Sequence, residues 1–300
     1  MKFAFIFFTV LILFSCEFET SDEVPKKRIT NTNTERKQKK RMPNVSDTIL
    51  YFGFKEEKYS IQIKAPKSKY RGTILVLQGW NFPRTSWCEN SDLCTKALEE
   101  GYYLIMPEMG KSIYHWKTYS QTRKDWIKYP TRDWLVNDVC NSLRSEYDLM
   151  LRGHDNFVLG LSTGGRGALL IAQENPDIFK GAASISGDYD QSPYPTDNLY
   201  IGYFGKDPKE WNPQENPISF IDKWEVPMYI GHGNKDKVVS ISHMSRLKLF
   251  VDSLRPDLNF RYHIAENAKH DYKYWSSEVA NMLSFFRDLT QSDKVAVDIN

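Results

Sequence analysis

The hydrophobic residues of the chain follow two different periods, which alternate along most of its length. Continuous apolar runs such as 73–77 and 157–161 are typical of strands buried on both faces of a parallel sheet. Residues 131–151 instead place Leu135 and Val139 near helical spacing. The predicted strands cover residues 59–63, 73–77, 103–106, 157–161, 181–185, 226–233 and 259–264. The predicted helices cover residues 92–101, 131–151, 168–172, 242–254 and 278–289.

This alternation predicts an α/β domain, with a mostly parallel sheet and helices on both of its faces. Residues 59–63 alternate apolar and polar side chains and are expected at an edge of the sheet. Residues 187–220 interrupt the pattern with five prolines and are expected to be irregular. Such an insertion between two strands is a candidate lid over a ligand site.

The first residues have the pattern of an export signal. Residues 3–14 are apolar apart from Thr9, a run too short to span a bilayer, which predicts a signal peptide over residues 1–15. The run ends at Ser15 and Cys16 and resembles a bacterial lipobox, in which the cysteine carries the lipid. The resemblance predicts an exported protein of the bacterial cell envelope, attached to a membrane through Cys16. An ordinary signal peptide or an uncleaved anchor is the alternative.

Residues 16–47 are polar and basic and contain almost no large apolar side chain. Such a segment cannot bury enough surface to fold, so a disordered tether is expected, followed by a folded domain over residues 48–300. The basic clusters 26–28 and 36–41 suit contact with anionic lipid or glycan, and a purely solvated tether is an equal alternative.

Composition removes several other functions. The net charge of 300 residues is only +2, which gives no reason to expect a nucleic-acid partner.

Cys88 and Cys94 lie close together in a predicted loop, and in an exported protein they are expected to form a disulfide. A zinc site is not expected, since no second pair of cysteines or histidines stands at ligand spacing. The sequence implies no other metal and no organic cofactor.

The pattern around Ser162 carries the strongest chemical signal. Gly160-Leu161-Ser162-Thr163-Gly164 stands between a predicted buried strand and a predicted buried helix. This is the context of a nucleophile elbow, a strained turn that exposes a serine at the end of a sheet. The following helix would direct its positive end, with the amide of Thr163, to where an oxyanion forms. A structural turn is the alternative.

Residues 160–168, with the following 174–179 and 182–187, resemble the esterase D-type branch of the α/β-hydrolases. This branch includes S-formylglutathione hydrolases, feruloyl and acetyl esterases and mycolyl transferases. The resemblance extends over about residues 59–289 and implies an eight-stranded sheet of the α/β-hydrolase fold. It also implies a catalytic acid in the loop after the strand at 226–233, and a catalytic histidine before the last helix.

On these positions the resemblance places the acid at Asp236 and the base at His270. The order Ser162, Asp236, His270 is that of the fold, and a serine needs such a base, held by a carboxylate, to become a nucleophile. His232 is the competing base. Asp207 and Asp271 compete for the role of acid.

The same resemblance places the second oxyanion donor in the loop after the strand at 73–77, at the amide of Trp80. Gln78 stands where the family usually has histidine, which matters little because the donor is a backbone group. Aromatic residues crowd the loop after 103–106, on the side of the sheet where ligands bind in open α/β folds. Trp80, Trp116 and Tyr119 are therefore predicted to contact the substrate.

These observations predict a serine esterase that hydrolyses a carboxylic ester through an acyl-enzyme. Acetyl or feruloyl esters of carbohydrates are the expected substrates, since the chain is rich in aromatic residues and predicted to be exported. A prolyl-oligopeptidase-type peptidase or an acyl transferase would use the same site. A different class of protein, a surface glycan-binding lipoprotein with an inactive hydrolase fold, is the further alternative.

Overall fold

The apolar runs of the sequence form the middle of one sheet in the computed structural model, which describes residues 42–297 and side chains as far as residue 290. Within these residues the sheet has eight strands, in the order β1-β2-β4-β3-β5-β6-β7-β8. They are β1 (Thr48–Phe54), β2 (Glu57–Lys64), β3 (Gly72–Leu77), β4 (Tyr102–Pro107), β5 (Asn156–Leu161), β6 (Gly181–Ile185), β7 (Met228–Gly233) and β8 (Phe260–Ala265). The strands from β3 to β8 pair in parallel, while β1 and β2 form an antiparallel hairpin that joins the sheet at β4. The predicted mostly parallel eight-stranded sheet is confirmed.

Helices cover both faces of the sheet, as predicted. They are α1 (Ser86–Asn90), α2 (Leu93–Glu99), α3 (Arg132–Trp134), α4 (Asn141–Tyr147), α5 (Thr163–Glu174), α6 (Asn198–Phe204), α7 (Ser242–Leu254), α8 (Tyr272–Ser277) and α9 (Val279–Val297). A π-helical segment, Leu135–Cys140, joins α3 to α4. Neighbouring residues of β3 alternate between the faces: Leu75 belongs to the core on the side of α4, α5 and α7, whereas Val76 belongs to the core on the side of α2 and α9. The alternation buries every strand residue of β3.

Three details differ from the sequence predictions. Residues 59–63 lie in β2, which is not an edge strand, because β1 pairs along its outer side. The irregular segment 187–220 contains the short helix α6 and three 3₁₀ turns. The last helix extends beyond residue 289 to Val297.

The predicted signal peptide, Cys16 and the tether as far as residue 41 lie outside the described residues. The end of the predicted tether is described, and it is bound to the domain. The amide of Asn44 donates to the carbonyl of Tyr147 at 3.0 Å, and the hydroxyl of Tyr103 donates to the carbonyl of Val45 at 3.0 Å. Residues 44 and 45, just before β1, are therefore bound to the domain. In the described part of the chain, no helix has the length and apolar character required to cross a bilayer.

Candidate active site

Ser162 occupies a strained turn between β5 and α5. Its backbone has φ 53° and ψ −127°, a conformation that residues with a side chain rarely adopt. The amide of Ser162 donates to the carbonyl of Ile185 on the neighbouring strand at 2.9 Å, which fixes the turn to the sheet. The side chain keeps a small exposed area, with 8% of the residue accessible. This is the geometry that the nucleophile-elbow pattern predicts.

The glycines on both sides of Ser162 are required by close backbone contacts. A Cβ atom on Gly160 would overlap the carbonyl oxygen of Gly164, and one on Gly164 would overlap the carbonyl oxygen of Gln78. Only residues without a side chain allow α5 to start this close to the ends of β3 and β5. The start of α5 therefore lies directly against the loop that follows β3.

Two backbone amides at this junction suit an oxyanion. A Cβ atom on Gly79 would lie 3.3 Å from the Cβ of Ser162, so the loop after β3 passes beside the serine. In the described part of the chain the amides of Trp80 and Thr163 have no hydrogen-bond partner. Free amides beside a nucleophile, one of them at a helix N-terminus, are the donors that an oxyanion hole needs.

The loop that carries Trp80 is held in place from several sides. The hydroxyl of Tyr114 donates to the carbonyl of Gln78 at 2.8 Å, and the side-chain amide of Gln78 donates to the carbonyl of Arg84 at 3.0 Å. The amide of Asn81 donates to the carbonyl of Gly110 at 2.8 Å. Gln78 stands where the resemblance leads one to expect histidine. Its backbone carbonyl and its side-chain amide both help to hold the loop in place.

Asp236 and His270 form the second half of the site. The Nδ1 of His270 lies 2.7 Å from one carboxylate oxygen of Asp236, and the amides of Val238 and Val239 donate to the other oxygen at 2.9 Å. Burial alone would raise the pKa of the carboxyl, but the hydrogen bonds and the charge of His270 outweigh it and hold the pKa of Asp236 below its usual value. Asp236 is therefore ionised at neutral pH. Its bond to Nδ1 leaves Nε2 of His270 to accept a proton.

An aromatic ring fixes the plane of this imidazole. Trp275 packs edge-on against His270 with ring centroids 5.0 Å apart. The indole N–H of Trp275 donates to the hydroxyl of Ser186 at 3.1 Å, which ties the ring to the end of β6. Since β6 is also the strand that fixes Ser162, one strand end positions both groups.

The competing base has a different role. The side chain of His232 is completely buried, and its Nε2 lies 2.9 Å from the carbonyl of Val239 and 3.6 Å from Asp236. Burial lowers the pKa of His232, so the ring is neutral and donates from Nε2 to that carbonyl. Through this hydrogen bond His232 holds the loop that carries Asp236.

The competing acids are also engaged elsewhere. The carboxylate of Asp271 accepts from the amide of Tyr274 at 3.0 Å and caps α8. The carboxylate of Asp207 accepts from the amide of Lys209 at 3.0 Å and caps a 3₁₀ turn. Among the described residues, Asp236 alone of the three hydrogen-bonds to His270.

The predicted substrate residues separate into two groups. Trp80 packs edge-on against Trp126 at 4.9 Å and lines an open groove. Trp116 and Tyr119 do not line that groove. Both are held by buried Glu215, which accepts from the amide of Trp116 and from the hydroxyl of Tyr119, each at 2.6 Å.

Cys88 and Cys94 are joined in a disulfide between α1 and α2.

The sequence did not predict a network of buried charged side chains that includes a residue of α5. Arg166 lies one turn after Ser162 on α5 and is fully buried. Its guanidinium donates to the backbone carbonyl of Glu215 and lies 3.4 Å from that residue's carboxylate. The same carboxylate lies 2.5 Å from Arg132, which also pairs with Glu174 at 2.7 Å. One sequence feature could have predicted the network: Arg166 is a charged residue within an apolar helix pattern. A buried arginine requires anionic partners.

Asp188 completes the network from the end of β6. It lies 3.7 Å from the Nε of Arg166 and accepts from the hydroxyl of Tyr200 on α6. Its second carboxylate oxygen is buried and has no hydrogen-bond partner among the described residues. Burial, only partly offset by Arg166 and Tyr200, raises the pKa of Asp188 to about 6.

Replacing Asp188 by asparagine should change how folding stability depends on pH. In the unfolded chain the carboxyl ionises near pH 3.8, before it ionises in the folded protein near pH 6. The wild type should therefore lose stability relative to Asp188→Asn as pH rises from about 3 to about 7, by up to about 3 kcal/mol, with most of the change between pH 4 and 6. Below about pH 3 and above about pH 7 the difference should be constant. Urea unfolding at pH 4, 5, 6 and 7.5 measures it, and a pH-independent difference would contradict the assignment.

Comparisons with known proteins identify the class that this fold and site define, a serine hydrolase of the α/β-hydrolase fold. An S-formylglutathione hydrolase from Agrobacterium tumefaciens superposes with a TM-score of 0.67 at 15% identity, covering 83% of this chain and 98% of that one. A ferulic acid esterase superposes with a TM-score of 0.62 at 16% identity, covering 83% and 100%. At these identities the likeness establishes the fold.

The sequence itself assigns the family. The chain belongs to the prolyl oligopeptidase family, whose model matches residues 91–293. Among curated proteins, the diacylglycerol acyltransferase/mycolyltransferase Ag85B of Mycolicibacterium smegmatis is 23% identical over 231 residues, which cover 66% of this chain and 70% of the relative. The esterase D-type resemblance and the prolyl oligopeptidase alternative thus both have counterparts among known proteins.

Proposed function

We propose that the protein hydrolyses carboxylic esters through an acyl-enzyme on Ser162. The observation that carries the proposal is the buried, ionised Asp236 bonded to Nδ1 of His270, together with a serine in a strained elbow that is tied to the same end of β6 as the ring packed on His270. Such a pair keeps the imidazole in the tautomer that accepts a proton from a hydroxyl group.

In the proposed reaction these groups act in turn. Ser162 Oγ attacks the ester carbonyl carbon while Nε2 of His270 takes the hydroxyl proton. The carbonyl oxygen becomes an oxyanion that the amides of Thr163 and Trp80 stabilise. Collapse breaks the bond to the alcohol, which leaves with the proton from His270. Water then attacks the acyl-serine by the same steps and releases the carboxylic acid.

Support for an ester rather than a peptide substrate comes from the superposed proteins. Two of them carry the names of an S-formylglutathione hydrolase and a ferulic acid esterase. The family and the curated relatives make peptide cleavage and acyl transfer the alternatives. An acetyl or feruloyl ester of a carbohydrate is the substrate that we propose, because aromatic side chains line the groove next to the oxyanion loop.

A substrate panel tests the proposal. We expect turnover of p-nitrophenyl acetate, of acetylated or feruloylated oligosaccharides, or of both, and much slower cleavage of prolyl anilides. A fluorophosphonate probe should label Ser162 in the wild type and leave Ser162→Ala unlabelled. Faster anilide cleavage would favour the peptidase. An acyl product that goes to an added sugar rather than to water would favour the transferase. A folded wild type with neither labelling nor turnover would leave the glycan-binding lipoprotein.

Export and lipid attachment at Cys16 stay predictions, because they fall outside the described residues.

A further inference from the structure

The groove beside Trp80 is built at the substrate side of the sheet. It has a volume of about 660 Å³ and is open to solvent along its length. Its walls come from three segments that follow the carboxyl ends of β3, β4 and β6. The side chains that matter below are Trp80, Lys111, Gln121, Trp126, Asn198 and Lys206. Trp80, whose amide is the proposed oxyanion donor, lines the groove, so the groove adjoins the proposed oxyanion loop.

The charged side chains that line the groove are all positive. None of its lining side chains is acidic. In the described part of the chain neither Lys111 nor Lys206 forms an ion pair within 4.0 Å, although the charge of Lys111 helps to lower the pKa of nearby Asp125. Arg123 also lines the groove, but it pairs with Asp125 at 2.8 Å. Lys111, Arg123 and Lys206 outnumber the one nearby carboxylate, Asp125, and this excess of positive charge attracts an anionic ligand.

The floor of the groove is aromatic and tightly packed. A Cβ atom on Gly202 would overlap the indole ring of Trp126, so α6 lies directly on this ring. The amide of Arg123 donates to the carbonyl of Gly202 at 2.8 Å, which also holds α6 against the segment that carries Trp126. Trp80 packs on Trp126 and remains only partly buried. The indole of Trp80 therefore offers a rigid apolar surface beside polar Gln121 and Asn198.

We propose that the groove binds the acidic oligosaccharide part of an ester substrate, and this inference rests on the proposed esterase function. An indole packs against the C–H face of a pyranose ring, and amide side chains hydrogen-bond its hydroxyls. Lys111 and Lys206 bind the carboxylates of uronic acid residues along the chain. An open groove, unlike a closed acyl pocket, admits a polymer whose ester is presented to Ser162.

Binding to an inactive variant tests the proposal without requiring turnover. Calorimetry on Ser162→Ala, in 20 mM salt, compares a hexamer of galacturonic acid with its fully methyl-esterified form, which has the same backbone and no charge. We expect the acid to bind at least about 10-fold more tightly than the neutral form. Replacing Lys111 or Lys206 by glutamine should weaken acid binding about 2- to 5-fold each, and both together about 10-fold. Binding should also weaken at 300 mM salt.

The matched control is Lys209→Gln. Lys209 is exposed, lies three residues from Lys206 and does not line the groove, so its loss should change binding less than 2-fold. Equal binding of both hexamers, no binding of either, or an unchanged double variant overturns the proposal. Binding of phosphatidylglycerol vesicles that is lost in the double variant, without oligosaccharide binding, would also overturn it in favour of a membrane. The ester panel is read on the wild type, so failure of the esterase function is seen separately.

Discussion

Alanine in place of Ser162 or of His270 should lower kcat by roughly 10⁴-fold or more, and the double variant should lose little beyond either single variant. The reason is that the two side chains act in one step. Without the imidazole the hydroxyl stays a weak nucleophile, and without the hydroxyl the imidazole has no proton to take. Steady-state kinetics on the best ester of the panel measures the three variants. Losses that multiply would show that the two residues act independently.

The acid of the site is tested against a neighbouring carboxylate. Asp236→Asn should lower kcat by about 10³- to 10⁴-fold, because the amide favours the wrong tautomer of His270. Asp271→Asn is the matched control, one residue from the same histidine. The asparagine keeps the side-chain oxygen that caps α8, so this change should alter stability by less than about 0.5 kcal/mol and kcat by less than 10-fold. A larger kinetic loss in Asp271→Asn than in Asp236→Asn would reverse the assignment of the acid.

The central strands and the elbow were predictable because their signals are local. β3 and β5 are buried on both faces and read as unbroken apolar runs. The turn at Ser162 needs glycine at fixed positions, which the sequence displays. The hairpin strand β1 gave a weaker signal, since its residues alternate between exposed and half-buried positions and directly follow a polar segment. Its absence from the predicted strands made β2 look like the edge.

The remaining parts of the site depend on contacts between distant residues. Glu215 lies in an irregular segment and meets Arg132, 83 residues away, and Arg166, 49 residues away. No local pattern marks such a carboxylate as buried. The groove beside Trp80 likewise joins three loops whose approach depends on the packing of Gly202 on Trp126. The family resemblance supplied candidates for the serine, acid and histidine, but the partners of the buried charges became visible only in the fold.

Glu215→Ala should cost about 3–5 kcal/mol of folding stability, because it leaves two buried arginines without their shared anion. The Glu215 carboxylate has no exposed surface and connects the loop of Tyr119, helix α5 and the segment before β7. Burial by itself would raise its pKa, but Arg132 and Arg166 outweigh burial and hold the pKa of Glu215 below its usual value. Chemical denaturation at pH 7 measures the loss.

The pH dependence and a surface control distinguish this ion network from simple loss of packing. Because the pKa of Glu215 is depressed in the folded state, its contribution is present above the unfolded pKa and disappears as pH falls through the folded value. The stability gap between wild type and Glu215→Ala should therefore narrow in acid. Glu210→Gln changes an exposed carboxylate of the same segment and should stay within about 0.5 kcal/mol of wild type. A gap that stays constant with pH would mean that the arginines do not depend on the charge of Glu215.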